Sequence, residues 1–319
     1  MLWREAIRDP LVLLNALDLT ELSARLSPAA AAQFPMRVPQ GYVARMRAGD
    51  PADPLLRQVL PLDDEDRLAP GFSLDAVGDG AAKGGTGVIH KYDGRALLIA
   101  TGSCAIHCRY CFRRHFPYAE ETAASGGWAS AIDYLKADPN IGEVILSGGD
   151  PLSLSTAKLT ELSDALQAMP QIQRLRIHTR LPIVLPERID SEFLHWISGL
   201  PWPVVMVVHA NHANEIDLSV QEACAALRAS GVHMLNQAVL MRGVNDSAEA
   251  LIDLSEAMFR AGVLPYYLHQ LDRVQGTAHF EVSDAEAFAL VAQMQGSLPG
   301  YLVPKLVREI AGEASKTLL

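Results

Sequence analysis

Six short apolar runs, rich in β-branched residues, alternate along the chain with longer stretches of helical spacing. The runs lie at residues 96–101, 143–146, 174–178, 204–209, 234–240 and 264–269. Helices are predicted between them at 129–137, 156–168, 191–198, 219–229 and 247–261. Because strands that alternate with helices form parallel sheets, this order predicts an α/β fold. Six strands favour a partial (β/α)6 barrel over a complete eight-stranded one.

The first 85 residues predict an accessory region outside this alternation. Apolar residues at helical spacing predict a helix at 6–19 and another at 27–33. Residues 39–70 are rich in Pro and Asp and predict an extended segment with short helices. Five glycines between positions 78 and 87 predict a flexible joint. We therefore divide the chain into an N-terminal region (1–85), a barrel (86–282) and a short C-terminal extension (283–319).

Charge and cysteine usage limit the classes of partner. The chain of 319 residues carries a formal net charge of −10 and has no basic run longer than Arg113–Arg114, which argues against direct binding of nucleic acid. Neither a signal peptide nor a membrane-spanning segment is evident, so we expect a cytoplasmic location without membrane association. In that compartment the four cysteines are expected to be thiols, metal ligands or packing residues.

Three cysteines at close spacing follow the first predicted barrel strand. They are Cys104, Cys108 and Cys111, in Cys-Ala-Ile-His-Cys-Arg-Tyr-Cys. A loop this tight can direct three thiolates toward one metal centre, and three ligands on a four-iron cluster would leave one iron open. Zinc with His107 or His115 as a fourth ligand is one alternative, and three core cysteines are another. Cys224 lies among alanines in a predicted helix and is expected to be a small buried residue.

The cysteine loop, with Tyr110 before its last cysteine, resembles that of the radical S-adenosylmethionine superfamily. The resemblance implies a [4Fe–4S] cluster whose open iron binds S-adenosylmethionine, and an external electron donor that drives cleavage of this cofactor to a 5′-deoxyadenosyl radical. The second strand ends in a Ser-Gly-Gly-Asp sequence similar to the superfamily's glycine-rich strand end. The implied contacts to S-adenosylmethionine are Tyr110, Ser147, Gly148, Gly149, Asp150, His209 and Gln237. For His209, an ordinary core histidine is the alternative.

From Phe34 onward the chain resembles the lysine 2,3-aminomutases. Matching stretches are 53–59 (Asp-Pro-Leu-Leu-Arg-Gln-Val), 108–114 (Cys-Arg-Tyr-Cys-Phe-Arg-Arg), 178–182 (His-Thr-Arg-Leu-Pro), 236–240 (Asn-Gln-Ala-Val-Leu) and 265–267 (Pro-Tyr-Tyr). The resemblance implies a partial radical-SAM barrel with an N-terminal helical region. It also implies an isomerase that moves the amino group of L-lysine from the α to the β carbon, giving (R)-β-lysine.

The family also uses pyridoxal 5′-phosphate, which the resemblance places on Lys316 in the run Gly-Glu-Ala-Ser-Lys at 312–316. This cofactor, rather than the protein, supplies the π system needed while the nitrogen migrates. Lys305, in an apolar run that predicts a strand, is the rival attachment point. Lys91, Tyr92 and Arg95 match family positions around the cofactor, and a guanidinium such as that of Arg95 suits a phosphate.

Three further residues match the family's substrate contacts. Arg113 matches the arginine that binds the substrate carboxylate. Asp272 matches one of the two acids that hold the distal ammonium, and Glu309 stands where the family has the second acid, an aspartate. The resemblance therefore implies that lysine is held from both ends.

The chain ends three residues after Lys316, as in the subgroup that makes β-lysine for translation elongation factor P. Elongation factor P and its lysyl-transferring enzyme are therefore expected partners. A free lysine 2,3-aminomutase of catabolism or osmolyte synthesis is the alternative with the same chemistry. A non-catalytic iron–sulfur or zinc protein is the alternative from a different class.

Overall fold

The computed structural model describes residues 5–124 and 126–319. In these residues ten strands form one sheet, and their order in the sheet follows their order in the chain. The strands are β1 (Lys83–Gly85), β2 (Val88–Tyr92), β3 (Arg95–Thr101), β4 (Glu143–Gly148), β5 (Arg174–Thr179), β6 (Val204–Val208), β7 (His233–Val239), β8 (Leu264–His269), β9 (Lys305–Arg308) and β10 (Thr317–Leu318). Strands β3 to β9 are parallel, whereas β1, β2 and β10 add antiparallel edges. The predicted α/β class and parallel sheet are confirmed.

In the described residues, four helices precede the sheet and seven lie between consecutive parallel strands of the chain. They are α1 (Pro10–Ala16), α2 (Pro28–Gln33), α3 (Gln40–Val43), α4 (Pro54–Arg57), α5 (Ala129–Ala137), α6 (Thr156–Gln167), α7 (Leu181–Val184), α8 (Ser191–Ser198), α9 (Leu218–Ala229), α10 (Ala248–Arg260) and α11 (Asp284–Ser297). Five of the longer helices, α6 and α8 to α11, follow a Ser or Asp whose side chain accepts a backbone N–H of the first turn. The predicted helix at 6–19 is shorter, because Asp9 caps it and Pro10 occupies its first position.

All six predicted strands are present, and two features of the sheet differ from the expectation. The C-terminal run at 301–307 contributes β9, a seventh parallel strand that pairs with β8. The segment at 78–87 contains β1 and is not an open joint. Its glycines permit close packing, since a Cβ on Gly87 would lie 2.3 Å from the backbone nitrogen of Ala123.

The N-terminal region shares its hydrophobic core with the barrel. Leu13, Tyr42 and Leu55 are buried in the same cluster as Leu98 of β3 and Leu146 of β4. The proposed boundary between residues 85 and 86 falls between two paired strands, β1 and β2. The three-part division of the chain stays a prediction.

Two smaller expectations concern burial and membranes. Cys224 is fully buried in α9, as a packing residue should be. Across residues 5–124 and 126–319, no helix combines the length and apolar character needed to cross a bilayer.

Candidate active site

The carboxyl ends of the parallel strands surround one cavity of about 490 Å³. Side chains from β2 to β5 and from β7 to β10 contribute to its wall, together with His209 just after β6, so the sheet curves around it. Every residue that the sequence singled out as a cluster, cofactor or substrate contact lines this cavity. Lys305, the rival to Lys316, also reaches it. The sequence patterns thus identified one place in the fold, while the individual roles stay predictions.

The three cysteines of the loop after β3 line the cavity. The loop makes a tight turn in which the Cys111 amide donates to the Cys108 carbonyl at 3.0 Å. Among the described residues, no group of three His, Cys, Asp or Glu side chains is close enough to hold a single metal ion. A cluster instead binds each thiolate at a different iron atom, so it accepts a wider spacing. Burial raises the pKa of Cys111 to about 11, so cluster binding would release its proton.

The two histidines considered as zinc ligands have other partners. The His107 ring stacks on Phe34, and its Nδ1 lies 2.5 Å from the carbonyl oxygen of Pro35. The His115 Nε2 lies 3.3 Å from the carbonyl oxygen of Gln275. One nitrogen of each ring is thus engaged by a backbone carbonyl outside the cysteine turn.

A buried ion cluster fixes this loop to the N-terminal region. Arg109 binds Glu65 through two hydrogen bonds, of 2.7 and 2.6 Å, and Arg114 binds the same carboxylate at 2.7 Å. The Arg109 amide also donates to the Gln58 carbonyl at 2.8 Å. Since all three charged side chains are almost fully buried, loss of one would leave unpaired charge in the interior. The accessory region therefore contributes directly to the shape of the cysteine loop.

A second buried network reaches a cysteine from β5. Arg180, just after β5, donates to the Cys108 sulfur at 2.7 Å. Its other terminal nitrogen donates to Gln58 at 2.6 Å and to Glu215 at 2.8 Å. Glu215 is fully buried and also accepts from the Asn211 amide at 2.8 Å. These contacts fix a cation against the sulfur, where it would offset the negative charge of a thiolate.

The glycine-rich end of β4 is shaped by close backbone contact. Gly148 has a φ of +114°, and a Cβ on Gly149 would lie 2.6 Å from the Ser103 carbonyl oxygen. Only glycines fit these two positions without displacing the cysteine loop. This packing places the Ser147 side chain and the exposed backbone of the strand end beside the cysteines.

The carboxylate of Asp150, the last residue of that motif, is hydrogen-bonded to other residues of the chain. Its carboxylate accepts from Thr179 Oγ1 at 2.7 Å and from the Leu152 and Arg180 amides at 3.0 and 2.6 Å. Burial raises the pKa of Asp150 to about 6 despite these bonds. Its observed role is to tie the ends of β4 and β5 together, and its predicted contact with S-adenosylmethionine stays a prediction.

The C-terminal hairpin carries Lys316 to the wall of the cavity. Strand β10 folds back antiparallel on β9, with Thr317 opposite Arg308. Glu309 and Lys316 consequently face each other across the turn, 2.7 Å apart. Tyr92 donates to the same Glu309 carboxylate at 2.6 Å, and Lys91 lies 3.4 Å from it. Burial alone would raise the pKa of Glu309, but Lys316 and these neighbours hold it below its ordinary value.

Arg113 and Asp272 line the same cavity with different environments. Arg113 is 8% exposed, pairs through Nε with Asp79 at 2.7 Å and donates through Nη1 to Ser147 at 3.1 Å. Asp272 makes no ion pair within the described residues, and burial raises its pKa to about 7. A desolvated carboxylate without an ion-pair partner favours an approaching cation.

Several cavity residues were not predicted from the sequence. His178 lies 3.4 Å from His209, and His269 is buried with an Nε2 that has no partner among the described residues. Burial lowers the pKa of His209 to about 4, so this imidazole is neutral. The signal for His178 and His269 was their position at the carboxyl ends of predicted strands, where such folds place their chemistry. Asp79 gave no comparable signal, because it lies in the glycine-rich segment.

The fold has a solved counterpart. A crystal structure of a radical SAM methyltransferase from Sphaerobacter thermophilus superposes with a TM-score of 0.50, over 69% of this chain and 68% of that chain, at 14% identity. At that identity the likeness concerns the fold alone. Together with the three-cysteine loop, it defines the class as a partial barrel of the radical-SAM type.

Proteins of similar sequence identify the family more narrowly than the fold does. The chain is 48% identical to the L-lysine 2,3-aminomutase of Escherichia coli K12 over 99% of this chain and 92% of that protein. It is 48% identical to the enzyme of the same name from Haemophilus influenzae (99% and 93%) and 32% identical to that of Clostridium subterminale (88% and 68%). No protein-family model matches the chain. The chain belongs to the L-lysine 2,3-aminomutase family, a family of isomerases.

Proposed function

We propose that the protein is an L-lysine 2,3-aminomutase that converts L-lysine to (R)-β-lysine with a [4Fe–4S] cluster, S-adenosylmethionine and pyridoxal 5′-phosphate. The observation that carries the proposal is that the three thiols and Lys316 line one cavity. Charged groups suited to both ends of lysine lie in the same cavity. The family membership supports the same reaction.

The donor set at the cysteine end fits an iron–sulfur cluster that binds a cofactor. Cys104, Cys108 and Cys111 would supply three thiolates, and no fourth cysteine is close, since Cys224 is buried in α9. The fourth iron would then be open to a ligand. Once bound there and reduced by an external donor, S-adenosylmethionine supplies a 5′-deoxyadenosyl radical. Gln237 Oε1 is buried beside this space and has no hydrogen-bond partner among the described residues, so it is free to accept one from that cofactor.

The residues around Lys316 fit pyridoxal phosphate. Lys316 would hold the cofactor covalently, and Glu309, at 2.7 Å, would keep its side chain directed into the cavity. Arg95 lines the cavity with its guanidinium stacked 4.6 Å from the Tyr92 ring centroid, where it can meet a phosphate. When bound, this cofactor supplies the electron-accepting π system for the migrating nitrogen.

Lysine specificity follows from the charges on the wall. The Nη2 nitrogen of Arg113 makes no hydrogen bond to the described residues, and the guanidinium can offer parallel donors to a carboxylate. Asp272 lines the cavity, and its carboxylate makes no ion pair with the described residues, so it can take the distal ammonium. Fixing both ends would present one β hydrogen to the radical. A lysine inside a polypeptide has no free carboxylate, so an anchor on Arg113 favours free lysine.

The test is anaerobic reconstitution with iron, sulfide and pyridoxal phosphate, followed by product analysis with free lysine. We expect β-lysine together with 5′-deoxyadenosine. Arg113→Lys keeps the positive charge but loses the two parallel N–H donors of the guanidinium, and we expect kcat/KM to fall at least about tenfold. The matched control is Arg25→Lys, in an exposed ion pair with Asp63, which should behave as the wild type. Absence of β-lysine from the reconstituted wild type would refute the proposal.

A finer proposal, which rests on the sequence resemblance, is that the β-lysine serves elongation factor P. Deletion of the gene in its own organism should remove the mass of one β-lysyl group from this factor, and the wild-type gene should restore it. An Arg113→Lys gene should restore it poorly. An unchanged mass of elongation factor P in the deletion strain would instead favour a role in catabolism or osmolyte synthesis.

A further inference from the structure

Asp79 lies between two cations of the cavity wall. It is 2% exposed, its Oδ2 accepts from Arg113 Nε at 2.7 Å, and its Oδ1 lies 2.8 Å from Lys91 Nζ. Lys91 in turn lies 3.4 Å from Glu309, which pairs with Lys316. The five side chains form an alternating series of charges along the wall. Asp79 is the member that connects the cysteine-loop side to the hairpin side.

Asp79 contacts the Arg113 guanidinium at its Nε nitrogen. Asp79 accepts a hydrogen bond from Nε alone, so neither terminal nitrogen is hydrogen-bonded to it, and Nη1 donates to Ser147 at 3.1 Å. An arginine side chain has four rotatable bonds and loses much entropy when it is fixed. A buried carboxylate at Nε fixes the plane of the Arg113 guanidinium before any ligand binds.

The backbone around Asp79 is itself held in place. The Asp75 carboxylate accepts from the Asp79 amide at 3.0 Å and from the Gly80 amide at 2.8 Å. Lys91 also donates to the Val77 carbonyl at 2.7 Å. Gly78, with a φ of +70°, packs so closely on Ala311 of the C-terminal hairpin that a Cβ would lie 2.8 Å from its side chain. Asp79 is therefore presented by a loop that is fixed on three sides.

We propose that Asp79 is a positioning residue for substrate recognition: it orients the Arg113 guanidinium toward the carboxylate of lysine and holds Lys91 beside Glu309. This inference rests on the proposed function, because it assumes that Arg113 binds the substrate carboxylate. Asp79 itself touches neither substrate nor cofactor. Its loss should weaken recognition of the carboxylate in particular, rather than binding of the molecule as a whole.

The discriminating ligand pair is L-lysine and L-lysinamide, which share both amino groups but differ in the carboxylate. Binding to the reconstituted holoenzyme, without S-adenosylmethionine, is measured from the change in cofactor absorbance during titration. We expect the wild type to bind lysine more tightly than lysinamide. In Asp79→Asn, affinity for lysine should fall at least about tenfold while affinity for lysinamide changes little. The ratio of the lysine affinity to the lysinamide affinity should therefore fall by the same factor. Asp79→Glu, which keeps the charge, should restore part of the ratio.

The matched control is Asp63→Asn, the same chemical change at an exposed residue outside the cavity, which leaves the Asp79 carboxylate in place. It should keep the wild-type ratio even if it lowers the melting temperature. Equal weakening of both ligands in Asp79→Asn, with no recovery in Asp79→Glu, would overturn the inference and leave Asp79 a purely structural residue. A wild type that binds both ligands equally would refute the role of Arg113, and the inference with it. A wild type that binds lysine selectively but makes no β-lysine would refute the proposed function while leaving the positioning role supported.

Discussion

The isolated carboxylate of Asp272 should make the stability of the protein depend on pH in an unusual direction. Burial raises its pKa from 3.8 to about 7, although Lys316 acts in the opposite sense. At about 1.36 kcal/mol per pKa unit, this difference corresponds to about 4 kcal/mol. The cost falls on the ionised form, because the folded protein binds the proton more tightly than the unfolded chain does. Asp272→Asn removes the titrating group and nearly preserves the shape of the side chain.

The sign follows from proton linkage. Between pH 4 and pH 7 the unfolded chain has released this proton while the folded protein retains it, so the free energy of unfolding falls as pH rises. Above pH 7 both forms are ionised and the loss is complete. We therefore expect Asp272→Asn to be more stable than the wild type by up to about 4 kcal/mol at pH 8, with the difference shrinking toward pH 4. It should also lose affinity for lysine.

The assay is urea unfolding of the cofactor-free protein, followed by circular dichroism at several values of pH. The quantity of interest is the difference between variant and wild type, which cancels the other titrating groups. Asp63→Asn serves as the control, because Asp63 is exposed and Arg25 lowers its pKa, so its contribution changes only in acid. A difference in free energy of unfolding between Asp272→Asn and the wild type that stays constant from pH 4 to pH 8 would show that the pKa of Asp272 is not raised in the folded protein.

Three further predictions concern the cluster, the cofactor and the accessory region. Cys108→Ala should lose its iron and sulfide after anaerobic reconstitution, whereas Cys224→Ala should retain them; full iron content in the first variant would exclude the cluster assignment. Lys316→Ala should lose the pyridoxal phosphate that borohydride traps on the protein, and peptide mapping that finds the label on Lys305 would contradict our placement. Glu65→Gln leaves two buried guanidinium groups short of charge, so we expect a loss of about 3–5 kcal/mol in stability and poor iron retention, measured by urea unfolding and iron analysis. Retention of iron and stability in that variant would show that the N-terminal region does not hold the cysteine loop.

The sequence by itself determined the architecture and the set of candidate residues that meet in one cavity. Strand runs and helices are encoded in the local spacing of apolar residues, so the parallel sheet could be predicted from the period alone. The cysteine loop and the two glycines after β4 were recognisable because tight loops and close backbone contacts restrict residue type within a few positions. The short motifs carried the resemblance to the family for the same reason. Each of these signals lies within a short stretch of chain.

What only the tertiary structure decided is which charges meet. Asp79 and Arg113 are 34 residues apart, and Glu65 and Arg109 are 44 apart, so no local pattern links them. The glycine-rich segment read as a flexible joint, yet it presents a buried carboxylate, because its conformation depends on packing against the C-terminal hairpin. The environment of Asp272 is likewise a property of the assembled cavity. Pairing and burial depend on distances through space, and those distances exist only after the sheet has curved and its two ends have been brought to one cavity.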